Sequence, residues 1–302
     1  MMGELLKTLL RCLYHVVVQV PAQHAIQRMV ADGLPAELVP AFRYLAHPNV
    51  ATGDKRILAP IKSFRAALRN RSDPPLGAVT TPPPQPGDTR HVDPPPPGPL
   101  TPVSWEKLAN NTCVSHYWGV FLFLCAKHKR VQTVLELGSG VGISACYLTA
   151  GNPNAQLITV EGSPGRAAIA AANLRAMNPR ARVVNAMFDS VLDEWLPRLS
   201  GTLDIVHIDG QHERVSTLHY FERIKPHLSS GALVIFDDIH WSDDMSRAWD
   251  ELARSRDVSF AVNTGRYGIC FCQPGAPWSR VHDFSRYTTD WRKEKRPRNE
   301  LL

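Results

Sequence analysis

The sequence predicts a Rossmann-like, doubly wound α/β domain: a seven-stranded sheet, mostly parallel, that ends in an antiparallel hairpin and follows a helical and proline-rich N-terminal arm. Three observations carry this expectation. From Ser104 onward, short apolar runs alternate with amphipathic stretches long enough for helices, the pattern of parallel strands covered on both faces. The first of these runs leads straight into a glycine-rich turn, LGSGVG at 137–142. The last two are separated by Thr264-Gly265-Arg266 alone, and so short a connection permits only an antiparallel pair.

Before that alternation begins, residues 4–30 and 55–70 read as helices. In the first, Leu6, Leu10, Leu13 and Val17 form one stripe while Lys7, Arg11 and His15 form another, the spacing of an amphipathic helix. Such a face is expected to dock on the main domain or to pair with a second copy in a homodimer. Lying on a membrane surface is the lesser reading. Charges interrupt residues 5–20, which argues against a spanning helix and against a clean signal-peptide core. Residues 74–102 then hold twelve of the 25 prolines. Proline lacks the amide donor and restricts its predecessor, so this is a linker or extended arm. The expected organisation is a helical segment at 1–73, the proline-rich arm at 74–102, the main domain at 103–275 and a basic tail at 276–302.

Within the main domain the periodicity places a helix at 104–129, then strand 133–137, helix 142–150, strand 156–161, helix 164–177 and strand 182–187. Helix 190–199, strand 203–208, helix 213–228, strand 232–236 and helix 243–255 follow, and strands 258–263 and 267–273 close the sheet. Ser242, Asp243 and Asp244 read as the cap and first-turn acids of helix 243–255.

Composition narrows the function classes. The net charge of +6 is uneven: residues 1–130 carry +7, residues 131–275 carry −4 and residues 276–302 carry +3. A mildly acidic centre is a poor platform for a phosphate backbone, so no specific nucleic-acid partner is expected. Six cysteines are scattered with no CxxC pair; reduced thiols and a cytoplasmic location are the default reading. Cys270 and Cys272 share one face of their strand and read as core residues.

Ligands of such sheets bind beyond the carboxyl ends of the strands. At the end of the first strand, Gly138, Gly140 and Gly142 allow a tight turn and a close backbone approach to a ligand. The second strand ends in Glu161, about twenty residues on, where a carboxylate can accept both hydroxyls of a ribose. The GxGxG spacing, with Glu136 inside the strand, disfavours a nicotinamide dinucleotide. The fifth strand runs into VIFDDIHW, residues 234–241. Its adjacent carboxylates, Asp237 and Asp238, repel one another and require water, a helix N-terminus or a cation. The fourth strand ends in HIDGQHE, residues 207–213.

Over about Ser104 to Gln273, the chain resembles the class I S-adenosylmethionine-dependent methyltransferases, whose first motif matches VLELGSGVG. Within them it is most similar to metal-dependent small-molecule O-methyltransferases of the catechol and caffeoyl-CoA type, and to bacterial relatives with IDG.H and FDDIHW signatures. The resemblance implies that Glu136, Gly138, Ser139, Gly140 and Gly142 surround the cofactor, with Ser144 near its carboxylate, Glu161 at the ribose and Asp189 by the adenine. For Asp189, an N-cap of helix 190–199 is the competing reading. It further implies that Asp209, Asp237 and Asp238 hold Mg²⁺, a hard cation that takes carboxylates, with Asp209 also lying beside the cofactor. The base is read as His212, at a place where the family commonly has lysine, or as His240, since histidine exchanges protons near neutrality. His207, in mid-strand, reads as core. Trp241, Trp249 and Tyr117 are candidates to shape an aromatic pocket, although packing is the commoner role.

The expected function is therefore S-adenosylmethionine-dependent O-methylation of a small hydroxylated acceptor, assisted by a divalent metal. A metal-free enzyme with a histidine base is the nearest rival. A non-catalytic cofactor-binding assembly subunit and a nicotinamide-dependent reductase are more distant. Amine methylation of nucleic acid or protein is disfavoured because DGQH stands where many such enzymes carry Asn/Asp-Pro-Pro-Tyr/Phe.

Overall fold

The computed structural model describes residues 19–72, 104–199, 201–273 and 280–288. The stripe at residues 6–17, the proline-rich arm and the distal basic tail lie outside the described residues. Three N-terminal helices come first: α1 (Val20–Ala31), α2 (Val39–Ala46) and α3 (Thr52–Arg69). They dock on the domain. Phe42 packs edge-on between Phe121 and Phe284, with ring centroids 5.7 Å away on either side, and Lys127 Nζ reaches Asp54 Oδ1 at 2.6 Å. Among the described residues no helix is long and apolar enough to cross a membrane.

The helix expected over 104–129 is two pieces. A turn at Trp105–Lys107 continues as a π-helical turn, Leu108–Thr112, and the chain then breaks before α4 (His116–Lys129). Ser115 causes the restart, accepting from the Trp118 N–H as an N-cap at 3.4 Å. Arg65 of α3 holds the first piece in place, donating to the carbonyls of Ala109 and Val114.

The domain continues as β1 (Thr133–Leu137), α5 (Ile143–Gly151), β2 (Gln156–Glu161), α6 (Pro164–Met177), β3 (Arg182–Asn185), α7 (Phe188–Trp195) and β4 (Leu203–Ile208). After these come α8 (Arg214–Ile224), β5 (Leu228–Phe236), α9 (Asp243–Ala253), β6 (Val258–Asn263), β7 (Gly268–Cys272) and β8 (Arg280–Asp283). Ser242 caps α9 through the Met245 N–H, as its sequence suggests. The sheet order is β3-β2-β1-β4-β5-β7-β6-β8. Strand β7 is antiparallel to both β5 and β6, as expected from the short turn.

The sheet has eight strands rather than seven. Arg280–Asp283 pairs in parallel with β6, where the sequence suggested only a tail. The reason is non-local: Arg280 and His282 both reach Asp32 at the end of α1. Four unpatterned residues gain a sheet edge and a helix terminus together, a contact that no local periodicity announces.

Alternation along the strands divides the core. Val134, Leu157, Ile205, Leu233 and Ile235 join the cluster built by the N-terminal helices, α4 and α5. Leu135, Ile158, Val206, Val234 and Phe236 face the cluster of α7, α8 and α9. The five described cysteines are free thiols, and Cys270 and Cys272 are both core residues.

Two measurements test this packing. A Cβ on Gly138, whose φ is +99°, would lie 1.8 Å from the Asp209 carbonyl oxygen; Gly138→Ala is therefore expected to lower unfolding free energy by at least about 3 kcal/mol in urea titrations. His116 Nδ1 lies 2.7 Å from the Tyr147 hydroxyl. Burial, aided by Lys62 and Arg65, lowers its pKa from 6.5 to about 4. Because the unfolded chain takes the proton first, stability should fall as pH drops from 6.5 towards 4, and His116→Gln should flatten that slope.

Candidate active site

The glycine turn follows from sheet geometry. At the end of β1, the amides of Gly138 and Ser139 both donate to the Val160 carbonyl at 3.0 Å, which turns the chain across β2. Gly142, φ +82°, opens α5, and a Cβ there would meet Ala170 Cα at 2.9 Å. Gly140, φ +51°, has open space around the position its Cβ would take. Its amide donates to Glu161 Oε2 at 2.9 Å, while the Ser163 amide donates to Oε1 at 2.8 Å. The carboxylate is thus clamped beside the turn, with lone pairs left for further donors. The Ser139 hydroxyl is buried without a hydrogen-bond partner among the described residues, and Ser144 is buried in the first turn of α5. A glycine cradle, an oriented carboxylate and an unanswered hydroxyl suit a nucleoside ligand such as S-adenosylmethionine.

Two expected cofactor residues, Glu136 and Asp189, have partners within the fold. Glu136 is wholly buried; Thr159 Oγ1 donates to its Oε2 at 2.6 Å, and its Oε1 lies 3.1 Å from His207 Nδ1. Its carboxylate is engaged within the sheet. Asp189 does not cap α7, whose N-cap is Met187. It stands in the first helical turn and pairs with His219 at 2.8 Å and Arg223 at 3.8 Å.

Beside the turn lie the carboxylates. Asp209 follows β4, and Asp237 and Asp238 follow β5, the neighbouring strand. The surprise is Arg266. The antiparallel register pairs Phe236 with Gly268, and continuing it sets Arg266 opposite Asp238. The guanidinium lies 2.7 Å from Asp237 Oδ2 and 3.8 Å from Asp238 Oδ1. Burial alone would raise the Asp237 carboxyl, but Arg266 brings it below the ordinary carboxylate range. Burial, and next to it the charge of Asp237, push Asp209 and Asp238 upward. Asp238 is held with φ +51°, a left-handed backbone that asparagine and aspartate adopt more readily than most residues.

The three groups whose donor atoms come within 4.8 Å of one another are His207, Asp209 and Asp237. Asp238, expected as the third member, stands at the rim against Arg266. His207, read from sequence as core and wholly buried, lies within that group of three. His207 lies in β4 and Asp209 stands one residue past the strand end, a spacing of two that the sequence shows.

The histidines separate cleanly. His240 is engaged at both ring nitrogens, Nδ1 with Ser246 Oγ and Nε2 with Asn263 Nδ2, each at 3.1 Å. Its lone pair is in use within the fold. His212 Nε2 lies 3.7 Å from Asp209 Oδ1, and its ring sits 6.2 Å from that of Trp241, which is 47% exposed. Tyr117 donates to the Leu45 carbonyl and packs on Tyr44. Trp249 is buried beneath Gly268. Both are structural.

Residues 135–239 match a family model described as "Methyltransferase domain". That segment is similar to a methyltransferase domain. The matched segment runs from β1 through the acidic pair. Among solved structures, the O-methyltransferase from Bacillus cereus in complex with SAH is 22% identical, covering 54% of this chain and 84% of that one, with TM-score 0.45. TomG from Streptomyces achromogenes, an O-methyltransferase involved in tomaymycin synthesis and solved with SAM, is 23% identical over 54% and 83%, TM-score 0.46. Cofactor-bound Rv0187 from MTB is 21% identical over 80% and 99%, TM-score 0.48. A comparison with curated proteins found no match.

The Arg266–Asp237 pair has a measurable consequence. Asp237→Ala leaves a buried guanidinium short of its partner, so stability should drop by about 3 kcal/mol, while Asp237→Ala/Arg266→Met should recover most of it. Equal losses in the single and double variants would show that the pair contributes nothing.

Proposed function

We propose that this methyltransferase transfers a methyl group to the oxygen of a small hydroxylated acceptor, with a divalent cation at the carboxylate cluster assisting deprotonation. One observation carries the reading: Gly138 of the glycine turn lies against the Asp209 backbone, so the end of that turn and the start of the acidic cluster are in direct contact. Asp209 and Asp237 supply carboxylate donors to a cation, and a buried, unpartnered nitrogen on His207 suits the same position. Such a cation supplies Lewis acidity towards the acceptor hydroxyl.

S-adenosylmethionine brings a methyl group on positively charged sulfur, so the chain needs chiefly to present a deprotonated oxygen in line with it. Glu161, clamped by the Gly140 and Ser163 amides, holds the ribose and so orients the cofactor. His212 is the proton acceptor at its imidazole nitrogen; it is poised at Asp209, whereas His240 is already committed. Trp241 stacks near His212 and offers the acceptor an apolar wall. A second reading, without metal, is favoured by Arg266, which already sets a cation on Asp237.

The experiment pairs calorimetric binding of S-adenosylhomocysteine with methyl transfer to catechols, phenols and sugar hydroxyls, with divalent cations or with EDTA. Glu161→Ala should weaken binding about tenfold or more through the lost ribose contacts. His212→Ala should cut turnover about a hundredfold with cofactor affinity within about threefold. Turnover that survives both EDTA and Asp237→Asn sinks the metal reading, and binding without turnover on any acceptor favours an assembly subunit.

A further inference from the structure

Thr159, Glu136 and His207 stand in one register row across β2, β1 and β4, and each is 0% exposed. Thr159 donates to one oxygen of Glu136, and the other lies 3.1 Å from His207 Nδ1. A carboxylate only accepts, so Nδ1 bears the hydrogen and Nε2 keeps its lone pair. Nε2 has no hydrogen-bond partner among the described residues. Neither has the hydroxyl of Tyr267, which is wholly buried with its ring 5.8 Å from that of His207. Buried polar atoms without partners are rare and call for an explanation.

For His207 Nε2 the explanation lies in what faces it. A ring nitrogen of His207 and one oxygen each of Asp209 and Asp237 come within 4.8 Å of one another, and with Nδ1 held by Glu136 the nitrogen left to serve is Nε2. An imidazole lone pair set against two carboxylates is repulsive unless a cation lies between them. We propose that His207 Nε2, Asp209 and Asp237 hold a divalent ion that accepts nitrogen, such as Mn²⁺, Fe²⁺, Co²⁺ or Zn²⁺, in preference to Mg²⁺. Mg²⁺ favours an all-oxygen shell, whereas imidazole suits the transition metals. A carboxylate behind the imidazole, here Glu136, is the usual device that fixes the tautomer and strengthens such a ligand. The Asp238 amide and Arg266 each take one lone pair on the two oxygens of Asp237, and each oxygen retains another.

This inference rests on reading the cluster as a cation site, and its test follows binding rather than turnover. The full chain, without acceptor, is titrated with Co²⁺ and followed by visible absorption, then challenged with Mg²⁺. Co²⁺ should bind and resist about a hundredfold excess of Mg²⁺, as a nitrogen ligand requires. His207→Gln should weaken Co²⁺ about tenfold or more. Asp238→Asn, which tolerates the same left-handed backbone, should leave Co²⁺ affinity within about threefold. Pulsed electron paramagnetic resonance of Mn²⁺ on the unaltered protein should show coupling to a directly bound imidazole nitrogen, and this readout does not depend on any variant folding. Absence of Co²⁺ binding, equal competition by Mg²⁺, or missing nitrogen coupling overturns the proposal. The last two outcomes would leave an all-oxygen, metal-assisted methyltransferase standing.

Discussion

A glycine without room for a methyl group sets the geometry of this protein. Strands β1 and β4 are neighbours at the centre of the sheet, and their carboxyl ends come together because Gly138 lies against the Asp209 carbonyl at a distance no Cβ would survive. The Asp209 amide in turn donates to the Leu137 carbonyl at 2.8 Å. Everything chemical is arranged around that closure. The cofactor turn departs on one side towards Glu161, and the carboxylates gather on the other.

Gathering carboxylates at low dielectric is costly unless opposite charge is close. The fold meets this with an element from far along the chain. The β6–β7 turn does more than reverse direction: antiparallel pairing with β5 carries Arg266 to Asp237 and Asp238, and the Ile239 amide anchors the turn by donating to the Arg266 carbonyl at 3.1 Å. One guanidinium does not balance three ionised carboxylates, so the cluster is net negative unless protons or a cation are taken up. The row Thr159–Glu136–His207 brings a second buried polar system to the same place from the other side of the sheet centre.

The loops that carry reactive groups are fastened at their bases. Gln211, in a left-handed conformation, accepts from the Tyr220 hydroxyl, which leaves His212 at the cleft beside Trp241. His240 ties the β5 loop to α9 through Ser246 and to β6 through Asn263. Two histidines close in sequence to the acidic residues thus differ: His240 is tied into the fold at both ring nitrogens, and His212 lies 3.7 Å from Asp209. A rigid frame with a few presented side chains is what orientation of two substrates demands.

Much of this was legible in the sequence, because it is set locally. Strand and helix periods, the glycine turn, the clamped Glu161 and the positions of Asp209, Asp237 and Asp238 at strand ends all follow from residue spacing and from where open sheets bind ligands. Tertiary structure decided the rest. Strand β8 exists because Asp32 of α1 meets Arg280 and His282. Arg266 reaches the acids only through the β5–β7 register, and Asp189 is drawn into an ion pair with α8. That buried His207 lies within reach of Asp209 and Asp237 depended on what stood opposite its face of the sheet. The physical reason is the same in each case: burial and pairing of charge depend on which distant segments meet, and the local pattern of a strand or helix says which face is buried without saying what it is buried against.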